Sequence, residues 1–217
     1  MQLFYNSELE ASTKTFIFSK DESRHIVKVL RKSTGDVLKI TNGKGGMFEA
    51  EVVIPNHNKC VVNILSSSFE APRPYKINLA VAPTKMNDRY EWFIEKSTEI
   101  GVDQIIPIIC QNSERKVIKT ERFEKILQSA MKQSLHAYLP TLAPTIPFSD
   151  FIKTPQEGLC FMAHCEDGAK LKFKDHIKPN TSITILIGPE GDFSPDEIEA
   201  ALKHDYIPVS LGASRLR

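Results

Sequence analysis

Short apolar runs alternate with amphipathic stretches along the last two thirds of the chain. The apolar runs are typical of strands, and the longer stretches repeat their apolar residues at helical spacing. Predicted strands lie at 77–82, 104–110, 159–164, 183–187 and 207–211, and predicted helices at 88–100, 121–134 and after 194. This alternation predicts an α/β domain in which helices cover both faces of a parallel sheet.

The last two predicted strands each run into a glycine loop. The first is followed by Gly188-Pro189-Glu190-Gly191 and the second by Leu211-Gly212. Between them Ser194, Pro195 and Glu197 mark the start of a helix with a capping box. A right-handed βαβ crossover brings both loops to the carboxyl edge of the sheet, where open α/β sheets bind small ligands.

The loop sequences argue against nucleotide-phosphate binding. The chain has no G-x-G-x-x-G after a strand and no Walker lysine. A nucleotide-dependent oxidoreductase would carry its glycine fingerprint after the first strand of the sheet, where Ala82-Pro83-Thr84-Lys85 stands instead.

The first seventy residues have a different pattern. Short segments rich in β-branched and aromatic residues predict a small β-barrel with strands at 15–18, 37–41, 47–54 and 59–65. A glycine cluster at 42–46 is typical of a structural hairpin turn. The serines and prolines of 66–74 have the composition of a linker, so we expect domains at 1–70 and 75–217.

Composition adds broad limits. The chain has 217 residues, 41% of them hydrophobic and 25% charged, as in globular proteins. We expect a cytoplasmic protein, because no apolar run approaches a membrane span and the first residues do not resemble a signal peptide. The four cysteines are scattered, which favours reduced thiols, and we expect no metal site.

The first predicted helix carries the main candidate for nucleic-acid contact. The formal net charge is only +1, so any RNA contact has to be local. After the predicted capping box of Ser19 and Glu22, one face of the helix is apolar and consists of Ile26, Val27, Val29 and Leu30. Basic residues recur on the opposite face: Arg24, Lys28, Arg31 and Lys32. A solvated surface face is the alternative interpretation.

Several motifs in order resemble one family. LIGPEGDFSPDEI followed by SLGASRLR, the upstream KMNDRYEWFIEKSTEIGV and KQSLHAYLP, and HIVKVLRKSTGD near the start resemble the SPOUT methyltransferases. Within them the chain is similar to the bacterial family that methylates N3 of a uridine in 16S ribosomal RNA. The resemblance implies a PUA-like RNA-binding barrel, a SPOUT domain with a C-terminal trefoil knot, S-adenosylmethionine as methyl donor, the 30S subunit as partner and a homodimer.

Family members usually continue beyond the position of Arg217 with a Thr-Glu-Thr-Ala stretch and a final helix. We therefore expect that a tail completing the knot is missing from this sequence.

The resemblance also implies roles for residues. Arg215 and Arg217 are the candidate catalytic residues, beside the uridine anion or the RNA phosphates, and a surface pair is the alternative. The candidate donor-binding residues are Leu186, Gly188, Pro189, Glu190, Gly191, Leu211, Gly212 and Leu216. Further candidates for RNA contact are Lys85, Arg89, Lys96 and Glu99.

Several residues of these segments also have an interpretation that does not depend on the resemblance. Lys96 and Glu99 stand three residues apart and can pair with each other. Glu190 can accept backbone amides within its turn instead of acting as a base. Trp92 and Phe93 fit packing in the core or between subunits. A non-catalytic assembly factor that binds RNA on the same fold remains the alternative function.

Overall fold

The computed structural model describes residues 2–166 and 170–212, which divide into two compact units. The first unit comprises Met1–Pro72 and Gln128–Leu139, and the second comprises Arg73–Leu127 and Pro140–Arg217. The sequence places a boundary between 70 and 75, but the return of 128–139 to the first unit was not predicted.

The first unit is built on a mainly antiparallel sheet. Its strands are β1 (Leu3–Tyr5), β2 (Thr15–Ile17), β3 (Val37–Thr41), β4 (Gly46–Ile54) and β5 (Val61–Phe69). In the described residues they pair in the order β1-β3-β4-β5-β2, and only the β1–β3 pairing is parallel. Aromatic and aliphatic side chains form its core, including an edge-to-face contact between Phe4 and Phe18 with ring centroids 5.5 Å apart and ring planes inclined at 64°.

The interpretation of the serines at 66–68 as linker was wrong. They belong to β5, where Ser66, Ser67 and Ser68 pair with residues 47–49 of β4. The local composition is that of a loop, but the cross-strand hydrogen bonds outweigh this weak preference.

The glycine hairpin between β3 and β4 packs on the returning segment. The Gly45 amide donates to the Ala137 carbonyl at 3.0 Å, and the Leu139 amide donates to the Gly43 carbonyl at 3.0 Å. Gly45 has φ +93°, and a side-chain carbon there would lie 2.7 Å from the Glu70 carbonyl oxygen and overlap the Tyr138 hydroxyl. The cluster therefore has a structural role, as the sequence predicts.

The first helix is less regular than its sequence predicts. It consists of α1 (Lys20–Arg24) followed by a π-helical stretch at His25–Val29. The wider turn rotates the following side chains, so Val29 is 65% exposed instead of lying on the apolar face. The predicted capping box is half formed in the described residues: Ser19 accepts from the Glu22 amide, but the Glu22 carboxylate pairs with Lys132 at 3.0 Å.

The second unit alternates strands and helices. Its elements are β6 (Ile77–Val81), α2 (Asn87–Glu99), β7 (Gln104–Ile109), α3 (Thr120–Ser134), β8 (Thr141–Leu142), β9 (Ile146–Pro147), α4 (Phe148–Phe151), β10 (Leu159–Ala163), β11 (Leu171–Lys172), β12 (Ile183–Ile187), α5 (Pro195–Lys203) and β13 (Ile207–Ser210). The last residues of α3, from Gln128, belong to the first unit.

The predicted parallel sheet is confirmed. In the described part of the chain its strands are ordered β11-β13-β10-β12-β6-β7-β8, β9 also pairs with β7, and each of these pairings is parallel. Successive residues such as Ile185 and Leu186 belong to different core clusters, because neighbouring side chains of a strand point to opposite faces. The capping box of Ser194 and Glu197 at the start of α5 is also confirmed.

Candidate functional site

The carboxyl ends of five strands of the second sheet meet at one edge, which we call the carboxyl edge. Ile187 of β12 is paired with Ala163 of β10 and with Val81 of β6, and Ala163 is also paired with Val209 of β13. Since the strands are parallel, the segments that follow them lie side by side. These segments are 82–86, 110–115, 164–166, 188–192 and 211–212.

The segment 188–192, which we call the glycine loop, contains two glycines in close contact with other groups. A side-chain carbon at Gly188 would lie 3.0 Å from the Phe193 ring, and one at Gly191 would lie 3.2 Å from the Asn112 side chain. A side chain at either position would therefore require the Phe193 ring or the Asn112 side chain to shift by a few tenths of an ångström.

Hydrogen bonds to two neighbouring segments hold the glycine loop. The Asn112 side-chain amide donates to the carbonyl of Gly191 at 3.0 Å and to that of Asp192 at 3.1 Å. The Glu190 carboxylate accepts from the Lys85 amide at 3.0 Å, so it binds a backbone amide of a neighbouring segment and not one of its own turn. The position of the loop is thus fixed by hydrogen bonds from outside it.

Asp192 connects the glycine loop to the segment after β10. It has φ +59°, and its two carboxylate oxygens accept from the Cys165 amide at 2.6 Å and from its neighbour Phe193 at 2.8 Å. The left-handed conformation is one that aspartate tolerates better than most residues.

Lys85 is an exposed cation at the carboxyl edge. Its ammonium pairs with Glu114 at 2.8 Å, and this hydrogen bond raises the Lys85 pKa above its ordinary value. The Arg115 guanidinium donates to the carbonyls of Thr84 and Lys85 at 3.1 and 2.7 Å and so fixes the backbone that carries this lysine. Lys85 is therefore charged at neutral pH.

Sequence reasoning missed Asn112, Asp192 and Arg115 as site residues. The glycine loop resembles a family motif, but the segments that it contacts are far from it in sequence. An exposed loop asparagine carries no signal of its hydrogen-bond partners before the strand order is known.

The predicted donor-binding residues are only partly at the surface. The Leu186 side chain is fully buried in the core, so only its backbone is available to a ligand, whereas Leu211 is 46% exposed next to Gly212. Pro189 is buried within the glycine loop. Arg215, Leu216 and Arg217 lie outside the described residues.

The predicted RNA-contact residues of α2 are not brought together. Arg89 is exposed near the start of the helix, about 15 Å along its axis from Glu99 near the end. Lys96 pairs with Glu99 and with Glu95, each at 2.8 Å, which is the alternative considered from the sequence. Since a crossover helix runs back along its strand, Lys96 and Glu99 lie toward the edge opposite Lys85.

Three of the four basic residues of the first helical segment are exposed, and we call them the basic stripe: Arg24, Lys28 and Arg31. Arg31 ends the segment in the left-handed conformation, with φ +55°. Lys32 is partly buried and pairs with Asp36 at 3.6 Å. Part of its charge is thus neutralised within the protein.

Two models of known protein families match the two parts of the chain. The RNA methyltransferase domain model matches residues 71–217, more than half of the chain, and the RNA methyltransferase PUA domain model matches residues 18–65. The chain belongs to the RNA methyltransferase family. The resemblance stated from the sequence and the predicted PUA-like and α/β parts are confirmed, whereas the knot stays a prediction.

Individual members of the RNA methyltransferase family align along almost the whole chain. The ribosomal RNA small subunit methyltransferase E of Rickettsia conorii is 28% identical over 100% of this chain and 89% of its own length. The protein of the same name from Buchnera aphidicola (Acyrthosiphon pisum) is 30% identical over 93% of this chain and 82% of its own length.

Solved structures share the fold of this methyltransferase family. A crystal structure assigned as an rRNA methyltransferase from Porphyromonas gingivalis has a TM-score of 0.91 at 40% identity, covering 100% of this chain and 92% of its own. A methyltransferase from Legionella pneumophila, solved with bound S-adenosylmethionine, has a TM-score of 0.86 at 27% identity, with 99% and 90% covered.

Within 2–166 and 170–212, no group of three His, Cys, Asp or Glu side chains has an arrangement that could hold a metal ion. None of the helices in the same residues has the length and apolar character that crossing a bilayer requires.

Proposed function

We propose that this chain transfers the methyl group of S-adenosylmethionine to N3 of a uridine in the 16S ribosomal RNA of the small subunit. Membership of the RNA methyltransferase family supports methyl transfer, and the names of the aligned relatives support the small-subunit RNA as acceptor. The choice of uridine N3 rests on the family resemblance of the glycine-loop motif.

The carboxyl edge carries this proposal. The glycine loop is held from outside by Asn112 and through Glu190, so its backbone is fixed at the edge where a ligand would meet it. A flat adenosine and a bent sulfonium compound require a close backbone approach. We propose that Gly188, Gly191 and Gly212 contact the donor through their backbone.

The chemistry divides between the donor and the protein. The sulfonium of S-adenosylmethionine supplies an already activated methyl group, so the protein mainly has to align the acceptor nitrogen and exclude water. Uridine N3 carries a proton near neutral pH that would have to pass to solvent, and positive charge nearby favours this loss. The N3–methyl bond would then form as the sulfonium–methyl bond breaks, with S-adenosylhomocysteine as the leaving group. We propose that Arg215 and Arg217 supply this charge, and that Lys85, whose ammonium pairs with Glu114, contacts the RNA.

The first unit fits the role of holding RNA. The basic stripe places three exposed cations on one short segment of a chain whose formal net charge is +1. Such a local arrangement binds phosphates without a general positive field. We propose that the target base is turned out of its stack to reach the donor.

We further propose that the chain acts as a homodimer in the cytoplasm. Trp92 is 64% exposed and Ile100 is 78% exposed on or next to α2, so neither packs in the core of a single chain. Large exposed apolar side chains favour burial against a partner. Light scattering after gel filtration tests this, and a monomeric mass at micromolar concentration would contradict it.

The decisive experiment uses the 217-residue chain, small subunits that lack the modification and S-adenosylmethionine with a labelled methyl group. Mass spectrometry of the digested RNA is expected to locate the label on one uracil, at N3. Calorimetric titration is expected to show binding of S-adenosylmethionine and no binding of NAD.

The alternatives give different results. Label on a ribose or on protein would contradict the assignment of the acceptor. Binding of small subunits without binding of the donor would favour the assembly factor.

A further inference from the structure

His164 follows directly after β10, between two ligand-facing segments. The preceding Ala163 is paired with Ile187 of β12 on one side and with Val209 of β13 on the other. The glycine loop follows the first of these strands, and Leu211 and Gly212 follow the second. His164 thus lies in the middle of the proposed donor site.

The imidazole is only partly buried as a side chain, but both of its nitrogens are shielded from solvent. Neither Nδ1 nor Nε2 has a hydrogen-bond partner in the described residues. The nearby Asp192 carboxylate is already occupied by the amides of Cys165 and Phe193. Buried polar atoms of native proteins nearly always have partners, so an unpaired pair of nitrogens at a ligand site points to the ligand.

The surroundings keep the ring neutral. Burial is the largest influence and lowers the His164 pKa below the ordinary value of 6.5. Lys170 lowers it further, whereas Asp192 and Glu166 raise it. A neutral imidazole has one donor and one acceptor nitrogen.

We propose that His164 is a binding residue for the adenosine part of the methyl donor, with its two ring nitrogens as the hydrogen-bonding groups. This inference rests on the proposed function. It assigns the recognition of one part of the donor to a side chain.

The charge state of the ring selects adenosine over the methionine end. The ammonium and the carboxylate of the methionine end form their strongest hydrogen bonds with oppositely charged partners, which a neutral imidazole is not. The ribose hydroxyls and the amino and ring nitrogens of adenine offer both donors and acceptors. They therefore match a neutral histidine.

The test compares the wild type with His164→Phe, which keeps a ring of similar size without hydrogen-bonding nitrogens, and with His164→Gln, which keeps a donor and an acceptor. His204→Phe, at an exposed position after α5, is the matched control. Calorimetry measures the affinity for S-adenosylmethionine and for adenosine alone, and thermal denaturation measures the stability of each unliganded protein.

We expect His164→Phe to lower the affinity for both ligands by about tenfold, because one or two neutral hydrogen bonds are lost. The glutamine variant is expected to recover part of the affinity, and the control to bind as the wild type does. The melting temperature of unliganded His164→Phe is expected to equal or exceed that of the wild type, because two unpaired polar atoms are removed from the interior.

The outcomes separate the two proposals. Absence of donor binding by the wild type would overturn the proposed function and this inference with it. Tight donor binding by both the wild type and His164→Phe would overturn the role of His164 alone. Weaker donor binding with unchanged adenosine binding would overturn the adenosine assignment, and a lowered melting temperature of His164→Phe would indicate a structural histidine instead.

Discussion

Replacement of Asn112 by alanine tests whether the hydrogen bonds that hold the glycine loop matter for donor binding. The change removes two hydrogen bonds, to the carbonyls of Gly191 and Asp192, without touching the proposed ligand. Each such bond contributes about 0.5–1.5 kcal/mol. Because Asn112 is exposed and water can replace it, we expect a total near the lower end, about 1 kcal/mol.

That free energy should appear as weaker binding of S-adenosylmethionine, by about fivefold, since a looser loop has to be ordered when the ligand binds. Calorimetric titration measures it. The control is Gln111→Ala, an exposed neighbour whose backbone amide still donates to Glu197 after the change. Unchanged affinity in Asn112→Ala, or an equal loss in the control, would refute the reasoning.

The remaining predictions concern other parts of the chain. Replacement of the three residues of the basic stripe by glutamate should weaken the binding of small subunits and flatten its salt dependence in filter-binding assays. Lys32→Ala should change this affinity little, because the Lys32 cation is already paired with Asp36. An equal loss of affinity in both variants would contradict a local RNA contact. Glu190→Ala should lower donor affinity several-fold by freeing the Lys85 amide, and Glu190→Gln, which retains an acceptor, should restore most of it in the same titration. Folding lowers the His164 pKa, so the contribution of the neutral ring to stability is complete above the unfolded pKa of 6.5 and is lost as the pH falls through the lower folded pKa. Acidification should therefore lower the melting temperature of the wild type more than that of His164→Phe. Parallel plots of melting temperature against pH for the two proteins would argue against a buried neutral ring. Gly45→Ala should destabilise the first unit by about 1–3 kcal/mol, seen as a lower denaturant midpoint, because its conformation is left-handed and its space is filled.

The sequence predicted those elements whose local signals agree with their packing. The strand at Ile183–Ile187 and the capping box of Ser194 were correct because the apolar run, the proline and the glutamate all favour the observed structure. The serines of β5 and the π-helical stretch were missed, since pairing with β4 and the widened turn depend on tertiary contacts that local composition does not record.

The site was predicted in the same uneven way. The glycine loop could be placed at the carboxyl edge because βαβ handedness is nearly invariant. The hydrogen bonds from Asn112 to that loop could not, since they join residues about eighty positions apart. The unpaired nitrogens of His164 depend on the burial of individual atoms, which no pattern of residues specifies.

The return of residues 128–139 has a consequence for the synthesis of the chain. The hairpin of Gly43 and Gly45 bonds to backbone groups of Ala137 and Leu139, about ninety residues downstream. When a ribosome has released only the first seventy residues, the segment 128–139 that they pack against has therefore not yet been synthesised. The first unit therefore completes its contacts only after residues 73–127 of the second unit have been synthesised. Contacts of long sequence separation thus delay the folding of the region that is translated first.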